Sequence, residues 1–254
     1  MASATGMPQR PPAADDVAYE GEDRETEPLL GRRGDATQHE GQSFFKNPIL
    51  GTAVLAQVGI IILVLLIWVS VFTKPLILFS GHPLAQSLGI LTLVQSILSI
   101  QPTVAPDQKR IGQRIHASLN LLAFLFLTAG VVIIEYNKYP DGVHFHSVHG
   151  YLGVITSIAL ALQYLVGFTM WATPVLYGGV DNAKAIYKYH RWSGYFILVL
   201  LLATVAAATR TDYNLNVLKL KLWSTLLLAV LILAGVLPRI QKHKLGLTGS
   251  ATSR

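Results

Sequence analysis

Residues 76–100 read LILFSGHPLAQSLGILTLVQSILSI, a run without one charged side chain and with a single histidine, His82, near its start. About 20 helical residues are enough to cross a hydrocarbon layer roughly 30 Å thick. Five other stretches pass the same test: about Leu50 to Phe72, Ile111 to Glu135, His146 to Trp171, Ile186 to Thr209 and Asn216 to Leu237. Apolar residues make up 52% of the chain, and from Lys46 onward the only acids are Asp107, Glu135, Asp141, Asp181 and Asp212, each in or beside a predicted loop. Lipid offers the backbone no hydrogen-bond partners, so each stretch must bond within itself and is expected to be a helix. The predicted fold class is therefore all-α integral membrane, with six transmembrane helices. No secretory signal precedes the first span, which is expected to be retained.

Residues 1–45 are different. They carry four basic and nine acidic residues and few apolar ones, too little to offset the entropy of ordering. The predicted organisation is a disordered cytoplasmic tail over 1–45, a membrane domain over 46–246 and a short cytoplasmic tail over 247–254. Within the first tail, Glu25-Thr26-Glu27-Pro28-Leu29-Leu30 has the form of an acidic dileucine signal, which points to a vacuolar or endolysosomal membrane. Loop charge sets the orientation. One side carries Arg32, Arg33, Lys46, Lys109, Arg110, Arg114, Lys184, Lys188, Arg191, Arg239, Lys242 and Lys244, the other Lys74, Lys138, Arg210, Lys219 and Lys221. That excess predicts both termini in the cytoplasm.

Four histidines open four successive spans: His82, His116, His149 and His190. Histidine at membrane depth is costly enough to mark a functional site. Consecutive helices enter from alternating sides, so His82 pairs with His149 on the non-cytoplasmic side and His116 with His190 on the cytoplasmic side. Each lies roughly 5 to 10 Å deep, leaving roughly 15 to 20 Å between the two levels. With no cysteine in the chain, thiolate-held clusters and thiolate-ligated or covalently attached haem are excluded. A zinc site would want three or four ligands, and each level offers two. Two opposed imidazoles do suffice for the axial positions of a b-type haem. Gly153 and Gly194, one turn after His149 and His190, with Gly150, Ala117 and Ser193, leave room for a flat ring or simply pack helices. A His-lined transition-metal transporter and a non-redox membrane scaffold stay open as alternatives; a transporter usually has intramembrane acids, and none falls in the spans.

Four motifs carry a family resemblance: Gly81-His82-Pro83-Leu84, Arg114-Ile115-His116-Ala117-Ser118-Leu119-Asn120, His144-Phe145-His146-Ser147-Val148-His149-Gly150 and Tyr189-His190-Arg191-Trp192-Ser193-Gly194. With their spacing, the chain from about Pro48 to Gly246 resembles the eukaryotic cytochrome b561 family, and its domain-containing D1/D2 subgroup of fungal type in particular. The resemblance implies helices two to five forming a four-helix core around two haem b groups, with the first and last helices outside it. It implies ligation of the haem irons by His82 and His149 on one side and His116 and His190 on the other. It also implies electron transfer from a cytoplasmic ascorbate-type donor to a ferric chelate or monodehydroascorbate, that is, a transmembrane ascorbate-dependent oxidoreductase. The expected partners are these small molecules and the lipid bilayer, a homodimer being allowed and nucleic acid not expected.

The second span departs from better-studied family members. It ends Leu93-Val94-Gln95-Ser96-Ile97-Leu98-Ser99-Ile100-Gln101-Pro102, without a positive charge. The nearest replacement on the donor side is Lys109, Arg110 and Arg114, suited to an enolate anion or haem propionates. On the acceptor side Asp141, His144 and His146 form a polar cluster before His149, with His144 able to relay a proton. Gln57, Gln86, Gln95, Asn120 and Gln163 are expected to hydrogen-bond between helices, and Phe124 and Phe126 lie between the two levels.

Overall fold

The computed structural model describes residues 36–139 and 146–245. Six helices are long and apolar enough to cross a membrane: α1 (Ala53–Phe72), α2 (Gly81–Ile100), α3 (Pro106–Lys138), α4 (Val148–Ala172), α5 (Val180–Ala208) and α6 (Leu222–Val236). α6 runs on through a 3-10 turn to Arg239. The protein is a multi-pass, all-helical membrane protein.

α3 is far longer than its apolar run. Its 33 residues span about 50 Å, so its first turns leave the bilayer. Pro106 occupies the first turn, where its missing N–H costs nothing. Gln108 Oε1 accepts from the Val104 and Ala105 N–H groups and so closes the start of the helix. The sixth helix begins later than the sequence predicts. Asn214 is the reason: its Nδ2 donates to the Thr209 and Leu220 carbonyls and its Oδ1 accepts from Leu220 N–H. Those bonds fold 214–218 into a π-helical turn, and Lys219 follows with φ 60°, so the continuous helix starts at Leu222.

Packing pairs α2 with α3, α1 with α6 and α4 with α5. No hydrophobic force drives such contacts in lipid, so close backbone approach does. A Cβ on Gly235 would lie 2.6 Å from the Ala56 Cβ, and Thr52 Oγ1 donates to the Gly235 carbonyl at 3.0 Å. The reciprocal amide pair Gln57–Gln95 ties α1 to α2 at 2.8 and 2.9 Å. The buried side-chain core lies mainly among α1, α2, α5 and α6. α3 and α4 contribute few buried residues; they wall a cavity instead. Their outer faces expose Leu121, Leu122, Leu125, Ile155, Ile158 and Leu162, as a lipid-facing surface requires.

One end of the bundle gathers both described chain ends. Gln38 N–H donates to the Pro102 carbonyl at 2.9 Å, and the wholly buried Asn47 donates to Gln38 Oε1 and the Ser99 carbonyl. The chain after α6 returns over the same end, where Arg191 Nη1 donates to the Lys244 carbonyl at 2.8 Å. Residues 36–45, in the segment expected to be a free tail, are thus held against the α2–α3 loop at this tail side.

Candidate functional site

The four histidines meet in two pairs. The His82 and His149 ring centres are 6.1 Å apart with ring planes at 81°, and those of His116 and His190 are 6.4 Å apart at 85°. A metal about 2.0 Å from each facing nitrogen, plus about 1.1 Å from nitrogen to ring centre, would put the centres about 6 Å apart. Both gaps fit one metal ion between the two rings and are too wide for a direct hydrogen bond between them.

Ring orientation is set from the neighbouring helix. His82 Nδ1–H donates to the Gly130 carbonyl at 2.8 Å and His149 Nδ1–H to the Thr204 carbonyl at 2.9 Å. His116 Nδ1–H donates to Ser96 Oγ at 2.8 Å, with the Ser96 carbonyl at 3.3 Å; Asn120 Nδ2 steadies that serine and the His116 carbonyl. A protonated Nδ1 leaves Nε2 with a free lone pair, which prepares an imidazole for a metal. His190 differs: its Nδ1 is buried with no partner, while its carbonyl accepts from Gln163 Nε2 at 2.7 Å.

These contacts reveal an internal repeat. On α2 His82 is followed fourteen residues later by Ser96, on α3 His116 by Gly130, on α4 His149 by Gln163 and on α5 His190 by Thr204. Each helix therefore supplies a ring at one level and a backbone or side-chain partner at the other. Fourteen residues rise about 21 Å, or about 20 Å along the normal at a typical helix tilt of ~20°.

One cavity of about 1260 Å³ contains both pairs, larger than the ~300–1,000 Å³ typical of a site for one drug-sized ligand. A Cβ on Gly153 would meet nothing within 4 Å, so that position faces open cavity. Gly194, Gly150 and Ala117 line the cavity too, whereas Ser193 bonds Gln163. Sequence reading missed Gly167, where a Cβ would stand 2.7 Å from His190 Cε1; only a glycine lets that ring lie beside α4. Phe124 stacks on Tyr164 at 4.7 Å on the cavity wall, and Phe126 is not among the lining residues.

The two mouths are polar. At the tail side Lys109 lines the cavity with Arg191, Arg239 and Lys244. Arg110 and Arg114 do not line it; both are exposed, Arg110 beside Asp107 at 3.7 Å. The expected three-base cluster thus reduces to Lys109, joined by cations from α5 and the C-terminal strap that only tertiary structure brings there. At the far mouth stand His146, Glu135, Lys138, Arg210, Asp212 and Tyr213; Asp141 and His144 lie outside the described residues. Arg210-Thr211-Asp212-Tyr213, polar and directly after a span, was the available but unused signal. Gln57, Gln86, Gln95, Asn120 and Gln163 all hydrogen-bond within the bundle.

A family model described as eukaryotic cytochrome b561 matches residues 81–213, the segment holding all four histidines. The chain belongs to the cytochrome b561 family. A lysosomal membrane ascorbate-dependent ferrireductase of Bos taurus is 25% identical over 138 residues, 52% of this chain and 50% of the relative. Transmembrane ascorbate-dependent reductases of Mus musculus and Homo sapiens are 27% identical over 97 residues (38% of this chain, 39% of the relative) and 24% identical over 128 residues (50% of each). The chain spans about half the length of the curated relatives it matches. No solved structure matches. Cytochromes b561 bind haem as a family, and the ring spacing, the free Nε2 positions and the glycine-walled cavity fit that group.

Proposed function

We propose that this cytochrome b561 carries electrons across its membrane through two bis-histidine b haems, from an ascorbate-type donor in the cytoplasm to a ferric chelate or monodehydroascorbate on the far side. The observation that carries this reading is the pair of facing imidazoles at each end of one cavity, 6.1 and 6.4 Å between ring centres. His82 and His149 would hold one haem and His116 and His190 the other, and each haem would supply one-electron exchange. Gly130, Thr204 and Ser96 fix the rings of His82, His149 and His116 and keep their Nε2 atoms deprotonated. Lys109 attracts an anionic donor at the tail side, and the His146 and Tyr213 mouth receives the acceptor. The tail side is taken as cytoplasmic on the excess of basic residues there, and the lysosomal relative, with the dileucine run, favours an endolysosomal membrane. A homodimer is compatible with this reading.

A reduced-minus-oxidised spectrum of purified membranes, taken with ascorbate and again with dithionite, tests it. A b-type difference signal with both reductants is expected. None with either would return the protein to the class of His-lined transporters or scaffolds.

A further inference from the structure

At the tail-side mouth cations converge, and among the described residues no acidic side chain pairs with them. Arg239 is only 4% exposed. Its Nη2 donates to the Asn47 and Leu98 carbonyls at 2.9 and 3.4 Å, while Nε and Nη1 are buried without a partner on a side chain that lines the cavity. Leu98 lies two residues beyond Ser96, the partner of the His116 ring, so this guanidinium sits within a turn of the His116 level. Arg191 directly follows His190 and pins the strap through the Lys244 carbonyl. Lys244 Nζ reaches the Thr103 and Gln101 carbonyls at 2.6 and 3.3 Å. Burial first, then the charges of Arg191 and Lys109, hold the Lys244 ammonium down to about 8.

Carbonyl oxygens accept hydrogen bonds but do not neutralise charge, and an unpaired buried ion is costly. The ion pairs among the described residues, Arg110–Asp107 and Lys184–Asp181, are exposed and involve none of these three cations. The mouth is therefore built for a carboxylate-type anion, which could come from a bound macrocycle or from a diffusible acid.

We propose that Arg239, with Lys244 and Arg191, binds the propionates of the haem held by His116 and His190, so that the strap after α6 closes that site by ionic contact with the cofactor. This rests on the two-haem reading above. Charge-assisted hydrogen bonds of this kind are about twice as strong as neutral ones, and the strap would then grip a loaded site more tightly than an empty one.

The test uses the full chain in lipid nanodiscs, loaded either with haem b or with its dimethyl ester, which lacks the negative charges. Release to excess apomyoglobin is followed in the parental protein, Arg239→Gln, Arg239→Lys and Lys244→Gln. Arg239→Gln and Lys244→Gln should release one of the two haems about tenfold faster or more, Arg239→Lys less so, while the ester leaves all four proteins equally fast. Equal release of haem b from parental and variant proteins would overturn the proposal, and a raised ascorbate requirement alongside it would assign the cations to a diffusible acid. Acceleration of ester and haem alike would also overturn it, leaving a packing role. If Arg239→Gln does not fold, Lys244→Gln in the strap carries the same comparison. A parental protein that takes up no haem would instead refute the two-haem reading itself.

Discussion

Gln163 Nε2 donates to the carbonyl of His190 at 2.7 Å, at the place in the repeat where Ser96 instead engages the ring of His116. His190 is thus held by its backbone and by the close passage of Gly167, while its Nδ1–H goes unmatched. A ligand imidazole whose Nδ1 finds no acceptor is less basic and less firmly oriented. Gln163→Ala should broaden the low-spin ferric electron-paramagnetic signal of one haem and leave the other sharp. Broadening of both signals, or of neither, would refute a local effect at His190.

Ligand pairing gives the second expectation. His82→Ala and His149→Ala should each remove the same haem, and His116→Ala and His190→Ala the other, because losing either axial imidazole opens the same iron. Pyridine haemochrome assays should find half the parental haem in each folded variant. Matching spectra for His82→Ala and His116→Ala, both unlike their partners, would break the pairing.

On the donor side, Lys109→Gln should raise the ascorbate concentration for half-maximal reduction and flatten its salt dependence, since the attraction is electrostatic and screened. Arg110→Gln and Arg114→Gln should do neither, because both side chains are exposed away from the cavity. Equal effects from all three would mean that bulk surface charge, not the mouth, governs donor approach.

On the proposed reading electrons enter at the tail-side pair and leave at the far pair. In sealed vesicles with the tail side outward, external ascorbate should drive reduction of a trapped, impermeant ferric chelate. His82→Ala should keep fast ascorbate reduction of its remaining haem and lose reduction of the trapped chelate. Parental rates in that variant would show that the acceptor is served by another route.

Lys244 makes closure of the strap pH-dependent in haem-free protein. Its amine binds a proton up to about 8 with the strap closed, against an ordinary 10.5 when open. The open form then holds more protons between these values, so closure strengthens as pH rises from about 8 toward 10.5 and carries its full penalty below 8. Since the chain has no cysteine, a nitroxide on His243→Cys, within the strap's 3-10 turn, can report strap mobility, which should fall over that window and stay flat in Lys244→Gln. Rising mobility would reverse the sign.

The spans and the four histidines are legible in sequence because each is a one-dimensional signal: an apolar run of membrane length, and a rare residue within it. Their pairing needed only the alternation of helix direction. What escaped depends on chain reversals. Arg239 and Lys244 look like ordinary cytoplasmic flank residues until the strap folds back, and Arg191 like a topology signal. The start of α6 was misplaced because the Asn214 side chain bonds to Leu220 across a turn that hydropathy cannot register. Arg110 and Arg114 follow Lys109 within five residues, yet helical rotation turns them away from the cavity.

The fourteen-residue interval has a mechanical consequence. Each of α2 to α5 carries a ring at one station and a partner for the other station's ring, on a single rigid rod. A substitution that lets one helix slide therefore displaces a ligand at one end and a clamp at the other by the same amount, and the rod itself does not stretch. On the two-haem reading, the gap that an electron would cross is gauged by backbone rise rather than by side-chain packing. Core substitutions should accordingly loosen or tilt the bundle, and lower its melting temperature, well before they alter the rate of transfer between stations.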